Sequence, residues 1–218
     1  MGARTDHLYM PVDHMEELYD SKNPLVRFAH TQRLGVIVRE IPFQNGRRVL
    51  DAGCGEGHLL ERIHQADPAG RFYGVDITEV ALQRARERCP WAELVRNNLV
   101  QTGFPDAFFD AVVSTEVLEH VFEYRRVLQE LNRILKPGGI LILTFPNEFL
   151  WTVSRFFLRR RPVRVPDHVN SFQPNTLRSQ VGMPLEKQIN LPFWLPFSLS
   201  LTCLMKFRKS CGTQSISS

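Results

Sequence analysis

VLDAGCGEGHLL, residues 49–60, is the stretch whose reading decides the fold. It runs from an apolar, strand-like segment through Gly53, Gly55 and Gly57 into a helical pattern. Glycines at such a join let the backbone turn sharply and let a ligand approach without meeting a Cβ. The helix start behind them offers backbone N–H groups that have no partner within the helix. The pattern is not the dinucleotide signature GxGxxG, because its sixth position is His58 and an acid, Asp51, sits just before the loop.

Outward from this loop, short apolar runs alternate with helical patterns from residue 47 to 145. The predicted strands are RRVLDAG (47–53), RFYGVD (71–76), AELVR (92–96), FDAVVST (109–115) and GILILTF (139–145), with helical stretches at 57–66, 78–89 and 121–135. Unbroken Val/Leu/Ile runs between amphipathic helices indicate a parallel sheet covered on both faces. The fold class expected is therefore α/β, a Rossmann-like, doubly wound, mostly parallel sheet. LKPGG (135–139) is expected to stop the last helix and turn into the next strand. Upstream, HMEELYD (14–20) and PLVRFAHTQRLGVIVREI (24–41) read as helices, the second closed by Pro42. The organisation expected is a helical cap over 1–44, a ligand-binding core over 45–147, and a lid with the last strands over 148–218.

Composition excludes several classes. With 218 residues, 43% hydrophobic and 23% charged, the chain suits one folded core. The net charge of +4 is too small to imply nucleic acid, which is not expected as a partner. Cys54, Cys89, Cys203 and Cys211 form no CxxC pair, so neither a disulfide framework nor a zinc site is expected, and no metal is assigned. The first twenty residues lack the apolar run of a secretory signal, and Asp6 stands where a myristoylation motif needs Ser or Thr. A reducing, cytoplasmic compartment is expected.

Asp76 ends the second strand, in YGVDIT, placed to accept both ribose hydroxyl protons of an adenosine-type ligand. The competing reading is a cap for the following helix, a job Thr78 could also do. The pieces VLDAGCGEG, GVD, FDAVVSTEVLEHV and LKPGGILILTFPN, over about residues 45–147, together resemble the class I S-adenosylmethionine-dependent methyltransferases. The resemblance is greatest to the small-molecule group that includes the ubiquinone and menaquinone enzymes. It implies S-adenosyl-L-methionine as cofactor and a small-molecule or lipid-like methyl acceptor. By the same resemblance Asp51 faces the methionine amino group, and Gly53, Cys54, Gly55 and Gly57 line the methionine and ribose. Asp76 and Ile77 hold the ribose and flank the adenine. Asn98 and Leu99 stand where the family has an acid followed by an apolar residue. Asn98 still offers a carbonyl to the adenine amino group, though a neutral acceptor makes a weaker bond than a carboxylate. Thr115 and Glu116 end the fourth strand at the cofactor mouth. His120 reads either as a cofactor- or acceptor-side group or as a histidine satisfied at a helix start.

Methyl transfer needs alignment above all, and a general base only if the acceptor must lose a proton. His168, in VPDHVNSFQPNTL, is the catalytic candidate, because the resembling enzymes often carry a histidine before this segment. Its alternative is a loop residue that braces neighbouring backbone. STEV (114–117), in place of an NPPY-like tetrapeptide, argues against methylation of base amines or glutamine. Two further stretches stand out. NEFLWTVSRFFLRRRPVRV interleaves aromatics with Arg155, Arg159, Arg160, Arg161 and Arg164, and residues 188–205 carry no charge. Three readings stay open for them: a plain substrate lid with LSLTCLMKF as the buried edge of the sheet, contact with an anionic membrane surface at a peripheral position, or RNA binding. For the whole chain the alternatives to a small-molecule enzyme are a catalytically weak methyltransferase-like binding protein and an RNA or protein methyltransferase.

Overall fold

The computed structural model describes residues 24–43, 46–157, 168–192 and 195–211. The helix expected over 14–20 and Arg159, Arg160, Arg161 and Arg164 lie outside them, as does the side chain of Arg155. In chain order the elements are α1 (Pro24–Glu40), β1 (Arg48–Ala52), α2 (His58–Ala66), β2 (Arg71–Asp76), α3 (Glu79–Arg88), β3 (Glu93–Arg96) and β4 (Phe109–Thr115). A 3₁₀ turn (Leu118–His120) then leads to α4 (Tyr124–Ile134), β5 (Leu135–Pro146), α5 (Glu148–Phe157), α6 (Pro174–Val181), β6 (Leu185–Leu191) and β7 (Thr202–Arg208).

The strands form a seven-stranded sheet in the order β3-β2-β1-β4-β5-β7-β6. The pairs among the first five strands are parallel, while β7 runs antiparallel to both β5 and β6. Alternation along each strand divides the core between the two faces. Leu50, Val112, Leu141 and Leu143 join α4 and α6 on one face. Val49, Val113, Ile140 and Ile142 join α1, α2 and α3 on the other. This is the doubly wound arrangement the alternating pattern implies, and it brings the C-terminal ends of β1 to β4 to one edge.

Two local expectations are corrected. β5 begins at Leu135, directly after α4, so KPGG lies inside the strand. Leu135 pairs with Phe109, and the register then jumps to Ala111 opposite Ile140, which leaves KPGG as an irregularity. Lys136 Nζ on Asp110 Oδ1 at 2.7 Å and the Gly138 N–H on the Lys209 carbonyl at 2.9 Å hold it there. The segment LSLTCLMKF is not the sheet's edge either: β7 is the penultimate strand and β6 is the edge. A hairpin returning antiparallel beside β5 buries its second strand on both sides, which suits the uncharged run from Thr202 to Met205.

Gly74 on β2 shows how closely the sheet packs beneath the glycine loop. A Cβ there would stand 2.6 Å from Leu94 Cδ2, 2.8 Å from Cys54 Sγ and 3.1 Å from Leu60 Cδ1. Gly74→Ala should therefore destabilise the protein by ~1–3 kcal/mol through overpacking. Urea unfolding measures this, and an unchanged midpoint would mean that the loop is not packed onto β2 as described.

Candidate functional site

The sheet order turns back between β1 and β4, and the crevice beside such a switch point is where open α/β sheets hold ligands. The glycine loop is anchored there by backbone: the N–H groups of Gly53 and Cys54 both donate to the Val75 carbonyl, at 2.8 and 3.0 Å. Gly53 takes φ +85°, and a Cβ on it would stand 2.4 Å from Val117 Cγ2. Gly55, also at positive φ, is different: an added Cβ meets nothing within 4 Å, so its face is open to a ligand. Cys54 is buried, and burial together with the Asp51 and Asp76 charges pushes its thiol well up. Its contribution to the crevice is therefore its backbone. Gly57 packs against Ala85 and Cys89, and its carbonyl accepts the Cys89 thiol at 3.4 Å.

Asp76 does part of its work within the protein. One carboxylate oxygen accepts the Gly55 N–H at 2.9 Å and the other accepts the Thr78 N–H at 2.8 Å. Each oxygen keeps a further lone pair for a ligand hydroxyl. Asp51, at the end of β1, is 2% exposed, and burial followed by the Asp76 charge raises its carboxyl to about 8. Ile77 is half exposed beside the crevice, whereas Leu99 turns into the core. Asn98 Oδ1 accepts the Val100 N–H at 2.9 Å, so it shapes its own turn and has one lone pair left for a ligand.

A second cluster stands beyond β4. Thr115 ends the strand with a buried hydroxyl oxygen that meets no hydrogen-bond partner among the described residues. Glu116 follows in the left-handed region at φ 53°, a conformation costly for a side chain of this kind and often found at functional sites. Its carboxylate accepts the Thr144 hydroxyl at 3.1 Å and lies 3.4 Å from Arg33 Nη1. Burial raises Glu116 against the opposing pull of Arg33. Glu119 is 1% exposed, and burial, then the Glu116 charge, pushes it well above the usual carboxylate range. The rings of His120 and His168 meet edge to face with centroids 4.6 Å apart. His168 Nδ1 lies 2.5 Å from Glu148 Oε1.

Backbone clamps hold this cluster together. The Glu119 carbonyl accepts the N–H groups of Val169 and Asn170 at 2.8 and 3.0 Å. Asn170 Nδ2 donates to the carbonyls of Leu118 and Val121 at 3.1 and 2.7 Å. The structure thus brings His120, Glu116 and His168 together across more than fifty residues of sequence. Glu119, Glu148, Arg33 and Asn170 complete the group, and sequence reasoning assigned none of them a functional role. Glu119, beside His120 in VLEHV, reads in the sequence as a helix-capping or packing residue rather than an acid catalyst; Glu148 and Arg33 carry no signal, because their partners lie far away in sequence.

Residues 50–143 match the family model described as a methyltransferase domain. A probable S-adenosylmethionine-dependent methyltransferase from Mycolicibacterium smegmatis is 37% identical over 110 residues, which are 50% of this chain and 42% of that protein. A demethylmenaquinone methyltransferase from Symbiobacterium thermophilum is 33% identical over 138 residues, 60% of this chain and 55% of that one. The chain thus spans less than two thirds of either relative's length. Among solved structures, a Pyrococcus horikoshii protein superposes with a TM-score of 0.72 at 19% identity, covering 93% of this chain and 100% of its own, and shares the fold.

The Asp51 carboxyl sets a pH dependence of stability in the ligand-free protein. In the unfolded chain it gives up its proton near pH 4; folded, it keeps it up to about pH 8. Between these values the folded state holds the extra proton, so stability falls as pH rises, by up to ~1.4 kcal/mol per pH unit. Urea midpoints from pH 5 to 8 should show this fall, and Asp51→Asn should make it shallower, leaving the part contributed by the raised Glu116 and Glu119. An equal slope in the variant would assign the effect to other groups.

Proposed function

We propose, from the methyltransferase domain at residues 50–143, that this chain transfers a methyl group from S-adenosyl-L-methionine to a small-molecule acceptor. One observation carries the reading: an open glycine loop at the end of β1 lies between two acidic side chains, buried Asp51 and Asp76, whose carboxylate accepts the Gly55 N–H, at the switch point of the sheet. S-adenosylmethionine, when bound, supplies a methyl already activated by its sulfonium charge. The protein's part is placement. Asp51 gives up its proton and meets the ligand's ammonium group, Asp76 receives the ribose hydroxyls, and the Gly55 backbone admits the chain between them. Ile77 covers the adenine edge, with Asn98 beside it. Alignment of this kind can remove ~7–11 kcal/mol from a bimolecular barrier.

The acceptor side is the cluster beyond β4. A small cavity bounded by His30, Arg33, Trp151, Leu191 and Thr202, with room for about one water molecule, opens next to the Arg33–Glu116 pair. A relative named as a demethylmenaquinone methyltransferase supports a small-molecule acceptor. Nδ1 of His168 lies against Glu148, which leaves Nε2 on the far side of the ring and supports a role for His168 on the acceptor side. Contact with an anionic membrane surface is a second proposal, favoured by Phe149 and Phe156 on α5, 73% and 65% exposed beside the arginine-rich segment. Among the described residues no helix is long and apolar enough to cross a membrane.

Two measurements test these readings. Calorimetric titration with S-adenosylhomocysteine should show binding by the wild type. Asp76→Ala should weaken it by one or two charge-assisted hydrogen bonds, ~1.5–3 kcal/mol each. Asp76→Asn, which keeps an acceptor for the loop, should fall between the two. No binding by the folded wild type would overturn the cofactor assignment, and equal affinity in both variants would overturn the ribose placement. Cosedimentation with vesicles of acidic lipid should be reduced, but not abolished, by high salt, and weakened when Arg159, Arg160 and Arg161 become Ser. No binding at low salt would return the segment to the role of a substrate lid.

A further inference from the structure

Glu119, His120 and His168 each bring one potential ligand atom to within 4.8 Å of the others. Neither carboxylate oxygen of Glu119 finds a hydrogen-bond partner among the described residues, although the side chain is 99% buried. A buried carboxylate without donors is unfavourable unless a proton or a cation reaches it. Its structural task, accepting the N–H groups of Val169 and Asn170, is done by its backbone carbonyl and does not call for an acidic side chain.

We propose that Glu119, His120 and His168 bind a divalent transition-metal ion of the zinc, cobalt or manganese kind, whose open positions hold an oxygen of the methyl acceptor. Two imidazoles and one carboxylate are a donor set suited to such ions, and three protein ligands leave room for a water or substrate oxygen. The partner of His168 fits the same assignment. With Nδ1 bound to Glu148 at 2.5 Å, Nε2 is left as the ligand, and a carboxylate behind a ligating histidine is the usual outer partner at metal sites. Two further carboxyls stand beside the ligand set, Glu148 against His168 and Glu116 against Arg33. The clamps from Val169 and Asn170 fix His168 over the 3₁₀ turn, so the ligand set is largely assembled. Ligand atoms around tetrahedral zinc lie roughly 3.4 Å apart, so closing onto the ion takes side-chain rotations of about an ångström.

The metal site goes beyond the cofactor reading, and only its use in transfer rests on that reading. An acceptor hydroxyl on the ion loses its proton to solvent more readily. Its oxygen then forms the new bond to the methyl carbon as the carbon–sulfur bond breaks, leaving a methyl ether and S-adenosylhomocysteine. The sequence expectation of no metal rested on cysteine spacing, and this ligand set contains no cysteine.

The test is titration of the full chain, free of affinity tags and stripped with chelator, with Co²⁺ followed by visible absorption and with Zn²⁺ followed by calorimetry. One ion per chain is expected, with Zn²⁺ displacing Co²⁺. Glu119→Gln and His168→Ala should each abolish stoichiometric binding, while Glu148→Gln should weaken it by roughly 10–100-fold. His168 lies on a surface segment, so its variant serves if Glu119→Gln fails to fold by circular dichroism. No stoichiometric ion in the wild type, or unchanged binding in the His168 variant, would overturn the site. S-adenosylhomocysteine binding measured on the same samples separates the two readings: metal failing while it binds removes only the metal site, and the reverse removes only the cofactor assignment.

Discussion

The Asp76 carboxylate accepts the Gly55 N–H at 2.9 Å and the Thr78 N–H at 2.8 Å, and so ties the first glycine loop to the end of the second strand. The rest of the crevice depends on that link. Two parallel strands joined only through their helices would leave their C-terminal loops independent. Here one charged acceptor fixes both loops at charge-assisted strength. The Val75 carbonyl reinforces it by accepting from Gly53 and Cys54. The loop can then afford the positive φ values of Gly53, Gly55 and Gly57, because its ends are held from below.

The acceptor side is held by a different device. Its histidines come from distant parts of the chain, and what unites them is backbone hydrogen bonding between the 3₁₀ turn after β4 and residues 169–170. The antiparallel hairpin β6–β7 serves the same end. It extends the sheet past β5 and closes the side on which α5 and α1 meet: Asn147 Nδ2 donates to the Phe197 carbonyl at 2.7 Å, and its N–H to the Leu201 carbonyl at 2.8 Å. Glu148 begins α5 immediately after that anchor, which places its carboxylate on His168.

The parts legible in the sequence were those governed by local chemistry. Parallel strands buried on both faces read as apolar runs, and the loop at 53–57 showed through its glycines, so the sheet from β1 to β5 could be drawn without coordinates. KPGG read as a helix stop followed by a turn. The helix ends at Ile134, before Pro137 is reached, because Leu135 already pairs with Phe109, and no local signal records that pairing. β7 was misplaced to the edge for a similar reason: its uncharged run fits either position, and only the return of β6 on its far side decides. Asn98 was placed by the resemblance, yet its bond to the Val100 N–H belongs to a turn that the resemblance does not show. Arg33 and Glu148 were invisible because each gains its meaning from a partner at least twenty residues away.

The charged groups divide by what surrounds them. Carboxylates with structural duties have cations from the protein itself and are held low: Asp110 by Lys136, Glu130 by Arg133 and Thr102, Glu40 by Lys187 and Lys206. Asp51 and Glu119 are buried with their nearest strong influence another carboxylate, Asp76 in one case and Glu116 in the other, and both are pushed up. Holding two such groups in a fold of marginal stability is costly. The cost has a function if each carboxylate meets a cation that arrives with a ligand: an ammonium group beside Asp51, a metal ion beside Glu119. At Asp51 the arriving charge would replace the held proton, so ligand binding there would release a proton and stabilise the folded protein most where the ligand-free form is weakest. On this view the two halves of the crevice, assembled by unrelated hydrogen-bond networks, share one design: a buried carboxyl on each side of the point where the methyl group changes hands, kept for a cation that arrives with the ligand.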